Sequence, residues 1–327
     1  MTVPSWVNGF NGVPATGAPQ WIVDFFEDLH ANAPAWMRDL YPLVVAPIGH
    51  VYATNTGDNT LKRIDLSTGL VDQTTTISYG PKGLCWDRGS YICIATDADT
   101  VVRVDKSTGV VHDAITVAAN ALSCEYDGVS NILAAVQVEV AQIRISDGTV
   151  TRTAMAGDTT TGICVDGSGH IYATNNHDNT VSIFNRSDLA ALGTVSVGSS
   201  PTQLCWDGLD HVVVANSNGS TLSRIKTSTL LADTSFSSGI ESDPRGICLD
   251  SNGNLFVSCY SGHVQQVNPA TGAVNWSLVV PNQPSWACAD GRGNVYFCAS
   301  GNVSCIKSGT QAVAWTVAAG NYCCWAP

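Results

Sequence analysis

The sequence predicts an all-β fold, a seven-bladed β-propeller preceded by a short N-terminal helical arm. Three observations carry this. A short phrase ending in Asp recurs along the chain at intervals of roughly 40 residues, a period diagnostic of repeat architectures. Each copy is accompanied by further β-rich phrases separated by Gly, Asn, Asp and Pro turn signals. Residues 1–48 share none of this, so the predicted organisation is an arm over 1–48 and a propeller over 49–327.

The first phrase reads GLCWD at 83–87, LSCEYD at 122–127, GICVD at 162–166, QLCWD at 203–207, GICLD at 246–250, WACAD at 286–290 and YCCWA at 322–326. It aligns Cys85, Cys124, Cys164, Cys205, Cys248, Cys288 and Cys324; Pro81, Pro201, Pro244 and Pro284 stand four residues before four of them. A second phrase reads HVYATN at 50–55, YICIATD at 91–97, HIYATN at 170–175, HVVVAN at 211–216, NLFVSC at 254–259 and NVYFCA at 294–299, with a degenerate ILAAVQ at 132–137. A third reads TLKRIDLSTG at 60–69, TVVRVDKSTG at 100–109, TVSIFNRSD at 180–188 and HVQQVNPATG at 263–272, and a fourth β-rich stretch ends each unit. A single four-stranded sheet of this size cannot bury both faces. Radial packing of seven buries them and leaves only short edges. The terminal YCCWA completes the first blade from the C-terminus; Leu43-Val44-Val45-Ala46 also aligns there, but the cysteine register favours the C-terminal strand.

These phrases resemble YVTN-type and NHL-type propeller repeats: Pro-x-Gly-Ile/Leu-small-x-Asp, then Gly-His-Ile-Tyr-Ala-Thr-Asn, then Asn-Thr-Val-x-x-Ile-Asp-x-Ser-Thr-Gly. The resemblance covers most of the chain and implies an architecture rather than an activity, because such propellers serve as enzymes, receptors and scaffolds. The Trp-Phe-Thr-Glu-like strand phrase of streptogramin-type lyases is absent, and the calcium site of lactonase-type propellers does not assemble by motif.

The chain is 44% hydrophobic and only 13% charged, with a net charge of −12. That charge gives no counterion-release drive towards nucleic acid, and no basic cluster suits an anionic membrane. No apolar run reaches the roughly 18 residues of a bilayer span, and no basic segment leads into an apolar one as in a secretory signal. The expectation is synthesis in a cytoplasm without export.

In the arm, Trp21, Ile22, Phe25, Phe26 and Leu29 fall on one helical face, with Asp24, Glu27 and Asp28 opposite. Pro34 opens a second short helix carrying Trp36, Met37 and Leu40. Three of the nine tryptophans (Trp6, Trp21 and Trp36) precede residue 37. The apolar face either folds back over the propeller or docks on another protein through Trp21, Ile22, Phe25, Phe26, Leu29 and Trp36.

The in-register cysteines read as small buried hydrophobes. Equivalent points on different blades are too far apart for a disulfide, and without a Cys-x-x-Cys no metal site is expected. Cys298 and Cys305 flank Gly301-Asn302 symmetrically and are a disulfide candidate; packed free thiols are the alternative. His50, His170 and His211 share one turn position. His177, Asp178 and His263 are expected in loops between the second and third strands of their blades. Lys82, Arg245 and Trp286 are expected in loops on the same face, where a central funnel could hold a small acidic or sugar ligand. No catalytic motif and no cofactor are expected. The favoured function is a non-enzymatic recognition and structural propeller attached by its arm to a larger assembly. In its most specific form it is a bacteriophage virion accessory, a tail, neck or capsid appendage that faces a surface glycan or receptor. A lyase or hydrolase with its site in the funnel is the alternative function, and the cell envelope or extracellular space the alternative location.

Overall fold

The computed structural model describes residues 49–233, 236, 237, 239–307 and 309–326. The predicted arm, including Leu43–Ala46, lies outside them. Among the described residues, twenty-eight strands form seven four-stranded antiparallel sheets. Strands are called a to d from the axis outwards. Blade 1 combines strand a, Tyr322–Ala326, with strands b to d between residues 50 and 76. Blades 2 to 7 open on strands a Pro81–Trp86, Ala121–Tyr126, Thr160–Val165, Pro201–Trp206, Pro244–Leu249 and Pro284–Ala289. The seven inner strands touch in ring order, and Tyr322–Ala326 lies between those of blades 7 and 2. The C-terminus therefore closes the ring by pairing with His50–Asn55.

Burial follows the distance from the axis. Strands b and c are almost wholly buried, as in Tyr91–Thr96 and Thr100–Asp105, whereas the outer strands Leu70–Thr76 and Val274–Val279 alternate between half-buried and exposed. Separate apolar clusters fill the gaps between successive blades. Ile92, Ile94, Leu61 and Tyr52 lie in the cluster between blades 1 and 2, and Ile163, Ile171, Leu133 and Phe184 in that between blades 3 and 4. Each fully buried Ile or Leu stabilises by about 1.5–3 kcal/mol relative to exposure, so each blade depends on both neighbours.

The repeated letters mark repeated contacts. Proline starts strands a, where its missing N–H costs no ladder bond. In blades 2 and 6 glycine follows two residues later because inner strands crowd at the axis: a Cβ on Gly83 would lie 2.9 Å from Leu122 O, and one on Gly246 2.7 Å from Ala287 N. The threonine of the Ala-Thr-Asn phrase crosses to the next blade, where Thr54 Oγ1 donates to Lys82 O (2.6 Å) and Thr174 Oγ1 to Thr202 O (2.7 Å). The aspartate after strand a in blades 2 to 7 closes the a–b turn; Asp166 Oδ1, for example, accepts from the N–H groups of Ser168 and His170. His170 and His211 add ring bonds to the second carboxylate oxygens of Asp166 and Asp207, at 3.0 and 3.1 Å. At His170 and His211 the shared histidine position is thus a turn contact, whereas His50 lies 3.5 Å from Asp72 on the outer strand.

Two readings of the cysteines are corrected. Cys85, Cys164, Cys205, Cys248, Cys288 and Cys324 do share one position, opposite Cys93, Tyr172, Val213, Phe256, Tyr296 and Tyr52. In blade 3 the residue at that position, opposite Leu133, is Glu125, and Cys124 is one place earlier. The turn carboxylate of Asp127 sets this register, not the thiol. Cys298 and Cys305 do not form a disulfide; all twelve cysteines are free. The hairpin turns at Ser300-Gly301, both at positive φ (47° and 82°), as a two-residue primed turn requires. Cys298 therefore faces Val303 and Cys305 faces Tyr296, and such a diagonal pair is beyond disulfide reach. A thiol–thiol contact instead joins non-equivalent positions of blades 7 and 1, with Cys288 Sγ 3.3 Å from Cys323 Sγ. Burial pushes the Cys164 and Cys248 thiols well above their usual range, consistent with inert core groups.

Candidate functional site at the channel mouth

Strands a all begin at one end of the central channel, so their first residues, with the b–c turns, build one mouth. Lys82 and Arg245 are equivalent, each directly after a blade's proline. Both are within strands, not in the loops expected of them. Their carbonyls accept from Thr54 and Thr202 of the preceding blades, which fixes where each side chain leaves the backbone. Lys82 Nζ is 3.7 Å from Asp97 Oδ2. Arg245 holds Asp243 in a two-pronged bond at 2.9 and 2.7 Å and lies over the Tyr260 ring at 3.9 Å.

Trp286 is also in a strand, one place further along. There most blades carry Gly or Ser, but blades 7 and 1 carry Trp286 and Tyr322, whose rings meet edge-on with centroids 5.1 Å apart. Beside them is an open cleft of about 630 Å³ lined by Asn55, Thr56, Gly57, Lys82, Ser285, Ser300, Gly301, Asn321 and Tyr322. Burial raises the Tyr322 hydroxyl pKa, and the charge of Arg245 opposes this. Lys82, Arg245, Trp286 and Tyr322 therefore belong to one mouth.

The other loop residues stay apart from this cleft. His177 is in a b–c turn, and its Nδ1 is 3.0 Å from Thr159 Oγ1 and 3.3 Å from Asp158 Oδ2. Asp178 Oδ2 accepts from Asp158 N at 2.7 Å. Together they tie the b–c turn of blade 4 to its d–a connection. His263 begins strand c rather than lying in the loop, with Nδ1 3.4 Å from Ser261 Oγ and 3.9 Å from Glu241 Oε2. Trp21, Ile22, Phe25, Phe26, Leu29 and Trp36 lie outside the described residues.

Deeper along the channel wall, Glu125 stands where six blades carry cysteine. Burial pushes its carboxyl up to about 7, opposed by the charge of Arg88. Aligning the repeats on their aspartates, rather than on cysteines, would have revealed it. Among the described residues, His50, Asp65 and Asp72 are the one group spaced to share a metal ion. Arg63 already binds both oxygens of Asp72, at 2.9 and 3.0 Å, so a cation would have to displace a guanidinium. No helix among the described residues is long and apolar enough to cross a membrane.

No protein-family model matches the sequence, and no curated protein matches it. Solved structures do match in fold. A functionally unknown protein from Desulfotomaculum acetoxidans DSM 771 superposes with a TM-score of 0.74 at 13% identity, over 84% of this chain and 98% of that one. The WD40 β-propeller domain of Doa1 gives 0.68 at 15%, over 82% and 91%. Virginiamycin B lyase from Staphylococcus aureus gives 0.63 at 13%, over 72% and 83%. At these identities the likeness extends to the propeller fold and no further.

Proposed function

We propose that this protein is a non-enzymatic recognition propeller whose channel mouth binds a neutral polar ligand of the glycan class. The carrying observation is charge pairing. Lys82 and Arg245 each face a carboxylate of their own blade, and His177 and His263 lie beside Asp158 and Glu241. What the mouth offers beyond those pairs is ring faces and neutral donors: Trp286, Tyr322, Ser285, Asn55 and Asn321. Aromatic faces ringed by amides and hydroxyls suit sugars better than charged partners. The finer reading is a bacteriophage virion accessory attached by residues 1–48. Its support is the tryptophan-rich, non-repeating segment over 1–48. Glycan-array binding followed by calorimetry tests the mouth: Trp286→Ala should weaken any captured glycan at least about tenfold, roughly 1.4 kcal/mol. Unchanged affinity would reject it. Copurification with intact particles, lost in a full-length Trp21→Ser/Phe25→Ser variant, tests the attachment.

One observation favours a second reading, a lyase or hydrolase acting inside the channel. A carboxyl poised near neutrality is suited to general acid–base work, and Glu125 is such a group. Any turnover found should disappear in Glu125→Gln; activity that survives the substitution excludes this role.

A further inference from the structure

The repeat supplies its own control for a second site, away from the channel. In blades 1, 2 and 5 an arginine on strand c is ion-paired with an aspartate on strand d: Arg63 with Asp72 (2.9 Å), Arg103 with Asp113 (2.8 Å) and, more loosely, Arg224 with Asp233 (3.6 Å). The same arginines reach the c–d turn carbonyls of the next blade, Arg63 to Lys106 O, Arg103 to Ile145 O and Arg224 to Ala270 O. Blade 3 departs from this. Gln142 takes the arginine's place and still reaches the next turn, its Nε2 donating to Arg186 O at 3.1 Å. The outer-strand partner directly opposite Gln142 is Arg152, where blades 2 and 5 carry Asp113 and Asp233 and blade 1 carries Gln73 next to Asp72. The notch that holds a neutral ion pair in blades 1, 2 and 5 holds a cation here.

Two more guanidiniums line the same cleft of about 550 Å³, Arg144 from the end of strand c and Arg186 from the neighbouring turn. Arg144 bonds exposed Asp147 at 2.8 Å. Arg186 donates to the Asp127 carbonyl at 3.0 Å, and Arg152 to Gln142 Oε1 at 3.0 Å. The buried Asp127 carboxylate is engaged by three turn N–H groups and the Asn131 amide. Among the described residues, neither Arg152 nor Arg186 has a carboxylate as a hydrogen-bond partner. Gln142 is 2% exposed, which anchors the floor of the cleft, while Arg152 opens to solvent. Such convergence runs against the overall charge of −12.

We infer that the notch between blades 3 and 4 binds a doubly charged tetrahedral oxyanion, a sulfate or phosphate group. Guanidinium forks from three separate elements match such a group geometrically as well as electrically, and a half-open site of this kind is screened by salt. The test titrates inorganic sulfate, inorganic phosphate and acetate at constant ionic strength, read by calorimetry and melting temperature. Sulfate or phosphate should bind saturably, with acetate at least about tenfold weaker; a sulfated and a phosphorylated monosaccharide then distinguish the sources. Gln142→Arg/Arg152→Asp, which rebuilds the ion pair of blades 1, 2 and 5, should abolish binding while keeping the melting temperature in plain buffer. If that pair fails to fold, Arg152→Ala, altered only at an exposed side chain, should weaken binding at least about tenfold. Equal responses to all three anions, or full binding by the variants, would overturn the assignment. Glycan capture at the channel mouth is unaffected by either result.

Discussion

Blade 1 and blades 4 and 7 bury the same tyrosine in the same place and satisfy it differently. In blades 4 and 7 the Tyr172 and Tyr296 hydroxyls donate to the turn carboxylates of Asp166 and Asp290, at 3.1 and 2.8 Å. In blade 1 the Tyr52 hydroxyl donates to the carbonyl of Lys106 at 2.9 Å. The cause is topological. Strand a of blade 1 arrives from the C-terminus, so no a–b turn exists there to carry an aspartate. His50 likewise has no turn carboxylate and lies 3.5 Å from Asp72 on the outer strand. Ring closure is therefore achieved without the group that organises the other blades, and the closing strand is held by its ladder, its packing and the contacts of the Cys323 thiol with Cys288 and the Tyr296 carbonyl.

The largest effect should come from removing that strand. A chain ending at Gly320 lacks Tyr322–Ala326 and bares the edge of His50–Asn55, an unpaired template for association. Loss of most of the 5–15 kcal/mol typical of a fold is expected, seen as oligomers on gel filtration and no cooperative melt. A monomeric variant melting near the full chain would show that something other than the C-terminus closes the ring.

Next is the turn carboxylate. Asp290→Ala strands the Tyr296 hydroxyl, the Asn294 amide and the N–H groups of Arg292 and Asn294. A loss of about 2–4 kcal/mol in urea unfolding is expected, since buried groups without partners cost about 1–3 kcal/mol each and some will find water. Tyr52→Phe in blade 1 removes one neutral bond and should cost about 1 kcal/mol. Equal losses would mean that the carboxylate organises nothing beyond a single bond.

The Glu125 position sharpens the comparison among blades, because one carboxyl replaces a thiol. Its folded pKa, about 7, is above the ordinary glutamate value of 4.5, so the folded state retains a proton that the unfolded state releases. Stability attributable to this group is present below pH 4.5 and is lost as pH rises towards 7. The loss amounts to at most about 3 kcal/mol. Glu125→Gln should be the more stable protein at pH 8 and no more stable at pH 4.5. Parallel stability–pH curves would show that Glu125 is not desolvated.

Much of this was legible because the repeat prints each contact several times. The strand-starting prolines, the crossing threonines, the turn aspartates and their histidines recur as letters because each makes the same bond in blade after blade. Single departures hide in such a pattern. Glu125 was masked by the adjacent Cys124, and Gln142 with Arg152 is an exchange visible only when strands c and d are laid in register. The mouth joins Lys82 to Tyr322 from opposite ends of the chain, a contact that ring closure creates and no local spacing encodes. The Cys298–Cys305 reading failed on a register shift from one turn: Ser300 takes positive φ, a strain the letters Ser-Gly-Asn do not announce.

The smallest effect separates the histidines. His170 and His211 are bonded to turn carboxylates, whereas His50 is partly buried beside Arg63, and burial followed by that charge lowers its pKa. A lowered histidine pKa means that the folded state binds fewer protons than the unfolded one. The stability it contributes is present above 6.5, the ordinary histidine value, and is lost as pH falls below it. This is opposite in sign to Glu125, so the two partly cancel in the wild-type curve between pH 7 and 5. Subtracting the curve of His50→Asn should expose a loss on acidification. His170→Asn, which places at 170 the residue that Asn254 and Asn294 supply in blades 6 and 7, should change stability by less than about 0.5 kcal/mol at neutral pH. A larger cost at His170 than at His50 on acidification would reverse the contrast between a turn anchored by its carboxylate and one closed without it.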